Sequence, residues 1–187
     1  MNKFIDLIGK TPLIKLTSLT NKGSAQLYAK CEFMNPSFSM KDRIAKYILE
    51  KADATNQLNP SSTIICSSSG NIGCSVAMLG SIKGYPVIIV VSNKCSIEKQ
   101  NHIKSFNAKL IVRDEHDYVE YGKKLGQDNG YFDINQYDNP YNPETYYKTL
   151  GPEIWKETNG KITNFVMTGS TFGCISGTAK FLVVLAN

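Results

Sequence analysis

The sequence predicts an α/β protein with parallel sheets in three layers, because strand-like segments alternate with helical ones along the chain. Residues 85–91 form a continuous apolar run that is rich in β-branched residues. Such a run is typical of a strand covered on both faces, as in a parallel sheet. Two polar, glycine-containing loops, at residues 67–73 and 168–177, each join a strand-like segment to a helical one.

The individual elements follow from hydrophobic spacing and from turn-forming residues. The predicted strands are residues 13–16, 26–31, 63–66, 85–91, 108–112 and 164–167, with 131–134 as strand or loop. The predicted helices are residues 42–51, 74–82, 96–106, 117–126, 143–157 and 175–185, after a short helical turn at 4–7. We expect the helix at 143–157 to be interrupted near Gly151 and Pro152.

The composition is that of a globular protein and excludes several function classes. The 187 residues are 42% hydrophobic and 20% charged. No apolar run approaches membrane-spanning length and residues 1–6 carry no signal-peptide core, so a cytoplasmic location is expected. The net charge of +5 comes from scattered lysines, which predicts neither a nucleic-acid nor a membrane partner. The five cysteines and two histidines show no metal-ligand spacing, so we predict no metal site and reduced thiols.

One lysine stands out by its surroundings. Lys41 follows Asn-Pro and a Ser-x-Ser turn and opens a predicted helix, with Arg43 two residues on. Backbone N–H groups and the positive end of the helix there disfavour the ammonium form, as an amine that attacks a carbonyl requires. Taken by itself, Lys41 could equally be a solvated surface lysine.

The two loops are candidate anion sites. Residues 67–73, Ser-Ser-Ser-Gly-Asn-Ile-Gly, offer hydroxyls and N–H groups at a helix N-terminus, which suits a carboxylate. Residues 168–177 form a similar loop that could hold a phosphate without a cationic side chain. A serine-rich helix cap explains the first loop equally well, and the second matches neither a dinucleotide fingerprint nor a Walker loop.

Together these stretches resemble the cysteine synthase family of pyridoxal-phosphate enzymes, which has the tryptophan-synthase-β-like fold. Five segments in the family's order support the resemblance. They are IGKTPL at 8–13, NPSFSMKDRIA at 35–45, SSSGNIG at 67–73, QYDNPYNP at 136–143 and GPEIW at 151–155.

The resemblance implies pyridoxal 5′-phosphate as cofactor and a role for each candidate residue. Lys41 is the catalytic lysine, which binds the cofactor covalently and moves the substrate α-proton. Asn71 binds the cofactor's ring oxygen. The substrate carboxylate is bound by Ser68, Ser69, Gly70, Ile72 and Gln136. The cofactor phosphate is bound by Ser170, Thr171, Phe172, Gly173 and Cys174.

The implied reaction is β-replacement on O-acetylserine or O-phosphoserine with sulfide, which gives L-cysteine, in a homodimeric transferase or lyase. Some residues differ from the usual family pattern. Ile72 stands where threonine is usual, Cys66 where glutamate is frequent, and Phe172 within a loop that is usually Gly-Thr-Gly-Gly-Thr. The Ser-Thr-x-Gly loop, the aliphatic Ile72 after the asparagine and the Met-Asn-Pro…Ser-Met-Lys-Asp-Arg segment are similar to another branch. That branch, the N-(2-amino-2-carboxyethyl)-L-glutamate synthases, uses L-glutamate as an amine nucleophile and makes a diaminopropionate precursor.

The resemblance also predicts two domains, the second of them incomplete. Residues 1–41 and 148–187 would form the incomplete cofactor-anchoring domain, and residues 42–147 the smaller, mobile domain that carries the substrate loop. Family members continue beyond the helix at which this chain stops, so we expect a C-terminal truncation, and we expect this chain alone to bind the cofactor poorly or not at all. An inactive fragment or pseudoenzyme is therefore a third hypothesis, beside the sulfide and amine reactions.

Overall fold

The computed structural model describes residues 3–186 and is built around a four-stranded parallel sheet. The strands are β3 (Ile64–Ser67), β4 (Val87–Ser92), β5 (Lys109–Arg113) and β6 (Phe132–Asp133), and their spatial order is β5-β4-β3-β6. β3 runs parallel to both β4 and β6, and β4 runs parallel to β5. The predicted parallel α/β fold is confirmed.

Helices cover both faces of this sheet. The four helices of this part are α1 (Lys41–Ala54), α2 (Asn71–Lys83), α3 (Ile97–Ser105) and α4 (Tyr118–Asn129). Ile44, Leu79 and Ile103 belong to one apolar core with Ile89 of β4. A second core, on the opposite face, joins Ile65, Ile88 and Val90 to Tyr121 and Leu125 of α4. All six residues of β4 are buried, as expected for a strand covered on both faces.

The first two strands pair differently from the rest. β1 (Leu13–Lys15) and β2 (Tyr28–Lys30) form a separate two-stranded antiparallel sheet, with Leu13 opposite Lys30. The segment between them contains only a 3-10 turn at Thr17–Leu19. Parallel pairing needs a crossover, usually a helix, and this connection supplies none.

Three helices complete the chain: α5 (Tyr141–Lys148), α6 (Leu150–Glu157) and α7 (Gly173–Ala186). α5 and α7 approach closely, since a Cβ built on Gly177 would lie 2.0 Å from the carbonyl oxygen of Pro143. No helix within residues 3–186 combines the length and the apolar character that a bilayer crossing requires.

Three sequence-based expectations need correction. Residues 164–167 are not a strand, because no neighbouring strand pairs with them, and Val166 is 88% exposed. The helical break lies at Thr149 rather than at Gly151 and Pro152, because proline is tolerated in the first turn of α6. α2 and α7 begin at Asn71 and Gly173, so the ends of both polar loops form the first helical turns.

Candidate active site

The loop before Lys41 is held by a buried carboxylate. Asp42 is fully buried, and it accepts hydrogen bonds from the Ser37 N–H at 2.7 Å and from the Ser37 hydroxyl. The Ser37 hydroxyl also lies 3.0 Å from the Ser75 hydroxyl on α2. The Lys41 N–H donates to the Ser39 hydroxyl at 3.2 Å. These bonds fix Lys41 as the first residue of α1 and tie its loop to the helix that follows the substrate loop.

The environment of Lys41 favours its neutral amine. Burial lowers the pKa of Lys41 from 10.5, and the Cys174 thiol opposes this shift only in part. Burial in turn raises the pKa of Cys174 to about 12. Lys41 and Cys174, the last residue of the loop at 170–174, each shift the pKa of the other, by less than burial does. The expectation that this lysine disfavours its ammonium form is met, with burial rather than the helix terminus as the leading cause.

Arg43 holds the first turn of α1 in place through buried ion pairs. Its guanidinium is buried, and it donates to Glu32 at 2.7 and 2.8 Å and to Glu153 at 2.7 and 2.8 Å. A further bond reaches the Thr11 hydroxyl at 3.3 Å. Lys30 completes the cluster with ion pairs to Glu153 at 3.0 Å and to Glu157 at 2.8 Å. The cluster joins the N-terminal segment, α1 and α6 at a point two residues from Lys41.

The loop at residues 67–73, predicted to bind the substrate, leaves β3 at its carboxyl end. Ser68 is buried, donates its N–H to the Val90 carbonyl at 2.9 Å, and accepts from the Gly70 N–H at 3.1 Å through its hydroxyl. The Ser69 hydroxyl accepts from the Ser92 N–H at 2.6 Å. An accepting hydroxyl still has its own proton to donate, so Ser69 can bind a carboxylate.

The end of this loop forms the first turn of α2. Asn71 is exposed, and within residues 3–186 its side-chain amide makes no hydrogen bond. Ile72 is 1% exposed and its side chain lies in the main apolar core, so only its backbone can face a ligand. The predicted residues 68–72 therefore offer two hydroxyls, the Asn71 amide and the N–H groups of the first turn.

Gln136 follows β6 and lies beside a cavity of about 250 Å³. The cavity opens at the carboxyl ends of β3 and β6, and Ser67 and Asp133 also line it. β6 adds to β3 on the side away from β4, so the strand order reverses there, where open α/β sheets bind ligands. Gln136 is 6% exposed, and burial raises the pKa of Asp133.

The predicted phosphate loop lies at the N-terminus of the 14-residue helix α7. Ser170 and Phe172 are exposed, Thr171 is half-buried, and Gly173 and Cys174 are buried. Phe172 has φ +57°, a conformation that favours glycine. A Cβ built on Gly173 would lie 2.1 Å from the Asn142 Oδ1 atom, so only glycine fits there.

Asn142 is a site residue that the sequence analysis did not identify. Its Nδ2 atom donates to the Gln136 carbonyl and to the Thr171 hydroxyl, both at 2.9 Å. Its side chain is buried, and Oδ1 has no hydrogen-bond partner among residues 3–186. The only signal was the repeated Asn-Pro at residues 139–143, which is also a common turn sequence.

Comparisons with known proteins agree with the family resemblance found in the sequence. The family model of pyridoxal-phosphate dependent enzymes matches residues 5–185. A cysteine synthase of Staphylococcus aureus is 33% identical over 187 residues, which is 97% of this chain and 60% of that protein. The crystal structure of an O-ureido-L-serine synthase superposes with a TM-score of 0.94 at 31% identity, over 99% of this chain and 60% of that one.

A cysteine synthase from Entamoeba histolytica has the same architecture. Its crystal structure gives a TM-score of 0.92 at 31% identity, over 99% of this chain and 57% of that one. The chain therefore spans about three fifths of the length of these relatives.

The residues present fit pyridoxal phosphate. The N–H groups of the first turn of α7 have no acceptor within the helix and point toward an anion. The Thr171 hydroxyl accepts from Asn142 and so keeps its proton for a phosphate oxygen. Lys41 supplies an amine of lowered pKa beside Cys174. An anion cradle and a reactive amine are the two features that this cofactor needs.

Proposed function

This chain belongs to the family of pyridoxal-phosphate dependent enzymes, and from that membership we propose that its residues serve a β-replacement on an O-activated L-serine, with sulfide as nucleophile and L-cysteine as product. One observation carries the proposal. The half-buried Lys41, whose pKa is lowered by burial, opens α1, and its pKa is also affected by the Cys174 thiol at the end of residues 170–174, although the two residues belong to opposite ends of the sequence.

Each residue has a role in this proposal. When bound, the cofactor supplies an electron sink for the substrate Cα. Lys41 holds the cofactor and transfers the Cα proton, and its lowered pKa gives it a larger neutral fraction than an ordinary lysine has at the same pH. Residues 170–174 bind the phosphate, and Asn71 binds the ring oxygen. The substrate carboxylate accepts from the hydroxyls of Ser68 and Ser69, the N–H of Ile72 and the Gln136 amide, while Gly70 orients the Ser68 hydroxyl by donating its N–H to it.

A second candidate is the same reaction with an amine nucleophile such as L-glutamate. The side chain at position 72 carries no hydroxyl, and Phe172 adds a bulky side chain to the predicted phosphate loop, residues 170–174. A structure with a TM-score of 0.94 is an O-ureido-L-serine synthase, so close structural relatives are not all cysteine synthases. The third candidate is a non-catalytic protein, which the cofactor test separates from the other two.

The test begins with the cofactor. The purified chain is mixed with pyridoxal phosphate, reduced with borohydride and digested, and the modified lysine is identified by mass spectrometry. Modification of Lys41 in preference to other lysines supports the proposal, with Lys41→Ala as the control. Visible absorbance and a Lys41 adduct would also contradict our expectation that this chain binds the cofactor poorly. Absence of any adduct at Lys41 favours the non-catalytic candidate.

Product analysis separates the two reactions. O-acetylserine or O-phosphoserine is supplied with sulfide or with L-glutamate, and the products are identified by mass spectrometry. L-Cysteine as the only product supports the first candidate, a glutamate adduct supports the second, and turnover by Lys41→Ala would contradict both.

We also propose the domain division and assembly that the resemblance implies. Residues 1–41 and 148–187 would form the cofactor-anchoring unit and 42–147 the mobile unit, in a cytoplasmic homodimer. Sedimentation should show a dimer, and a monomer would contradict the proposed assembly.

A further inference from the structure

Asn142 connects the two loops to which the proposed function assigns substrate and cofactor. It is the second residue of α5, is 2% exposed, and donates one N–H to each loop. The acceptors are the Gln136 carbonyl and the Thr171 hydroxyl, each at 2.9 Å. Because a carbonyl can only accept, the bond to Gln136 identifies the donating atom as the amide nitrogen.

The amide also determines which way the Thr171 hydroxyl can donate. Since the Thr171 oxygen accepts from Asn142, its proton remains free for another acceptor. A phosphate offers only acceptor atoms at neutral pH, so a Thr171 hydroxyl whose proton is free can donate a hydrogen bond to it. An aspartate at position 142 would accept the Thr171 proton instead and remove that donor.

The Oδ1 atom of Asn142 shows how closely this side chain packs against α7. Oδ1 is buried without a partner, and a Cβ on Gly173 would lie 2.1 Å from it. The Asn142 side chain is therefore packed directly against the start of α7. A buried oxygen without a hydrogen-bond partner is unfavourable, so this placement lowers stability. Such a cost is common where a side chain serves a site.

We propose that Asn142 is a positioning residue that couples the Gln136 loop to the predicted phosphate loop, so that ordering of one orders the other. The inference rests on the proposed function for the identity of the ligands, but not for the coupling itself. A neighbouring residue offers a matched control. Asn139 lies in the same turn, and its side chain bonds only locally, to the Ile134 carbonyl at 3.1 Å and the Tyr141 N–H at 3.0 Å.

The first measurement is hydrogen exchange of backbone amides in the unliganded chain. Asn142→Ala should raise exchange in both residues 134–138 and residues 170–175, by about threefold or more, as loss of roughly one hydrogen bond to each loop implies. Asn139→Ala should raise it only in the first segment. An effect of Asn142→Ala confined to one segment, or equal to that of Asn139→Ala, would overturn the proposal.

A second variant keeps the test valid if Asn142→Ala fails to fold. Thr171→Val removes the hydroxyl that accepts the hydrogen bond from Asn142, and it does so in a half-buried loop. It should also raise exchange at residues 134–138, although Thr171 has no hydrogen bond to that segment except through Asn142. Unchanged exchange there contradicts the coupling.

The ligand measurement uses pyridoxal phosphate itself, titrated by absorbance. Asn142→Ala and Asn142→Asp should weaken its binding by about fivefold to tenfold, and Asn139→Ala by less than about twofold. Equal binding by all variants overturns the role toward the phosphate. If the wild-type chain binds no pyridoxal phosphate, the non-catalytic candidate is favoured, while the exchange data still decide whether Asn142 couples the loops.

Discussion

The guanidinium of Arg43 donates to both carboxylate oxygens of Glu153, at 2.7 and 2.8 Å, in a site where the arginine side chain is 2% exposed. Glu32 accepts from the same guanidinium on its other side. Two carboxylates thus share one buried cation, two residues along the helix from Lys41. Breaking such a pair leaves a partly buried charge without compensation, which is more costly than losing a surface ion pair.

Arg43→Met should therefore lower the free energy of unfolding by about 3 kcal/mol or more. Urea denaturation followed by circular dichroism measures this. Lys94→Met is the matched control, because Lys94 is 71% exposed in its pair with Glu115 and surface pairs contribute about 0–1 kcal/mol. Equal losses in the two variants would contradict the assigned role of Arg43.

Acid should weaken the same cluster. Burial raises the pKa of Glu153, but the hydrogen bonds and charge of Arg43 outweigh this and lower it from 4.5 to about 2. A carboxylate with a depressed folded-state pKa stabilises the protein fully above its unfolded value, and this contribution is lost as the pH falls. We expect the free energy of unfolding to fall between pH 4.5 and about 2, and less steeply in Glu153→Gln. Identical slopes in the two proteins would refute this.

Lys41 should react as an amine at lower pH than an ordinary lysine. Burial lowers its pKa from 10.5, so its neutral, nucleophilic fraction is larger near neutral pH. Competitive acetylation at a series of pH values, quantified by mass spectrometry, should give a midpoint below 10.5 for Lys41. The denatured chain is the control, since unfolding removes the burial. The same midpoint in both states would show that burial does not lower the pKa of Lys41.

Phe172 should be replaceable by glycine at a gain in stability. Its φ of +57° costs a bulky residue about 1–2 kcal/mol, whereas glycine adopts it freely but loses about 0.5–1 kcal/mol through unfolded-state entropy. Phe172→Gly should therefore raise the free energy of unfolding by roughly 0.5–1 kcal/mol. Phe33→Gly, at a position of similar exposure in a 3-10 turn, should instead lower it. Destabilisation by both changes would argue against strain at residue 172.

The sequence predicts most elements of the fold because their signals are local. β4 is recognisable from five consecutive apolar residues, and α1 from the spacing of Met40, Ile44 and Ile48. β6 has only two residues, Phe132 and Asp133, and its strand conformation depends on pairing with β3. Residues 164–167 have strand-like composition, but strand formation depends on a neighbour that the sequence segment does not contain.

The candidate site was predictable only in part. Lys41 and the two loops were identified from turn chemistry and from the resemblance. Asn142 was missed because its role depends on Thr171, 29 residues away, and nothing local distinguishes it from a turn asparagine. The burial of Ile72 was likewise not predictable from the sequence, since a residue at the first turn of a helix can face either core or solvent.

The pairing of Arg43 with Glu153 has a consequence for synthesis on the ribosome. The two residues are 110 positions apart, so the Arg43 guanidinium, which can meet Glu32 early, gains its second carboxylate only after α6 has emerged. Contacts of such separation close late, because the chain entropy of a long loop must be overcome first. A nascent chain stalled before residue 153 would thus hold the Arg43 guanidinium without its second carboxylate.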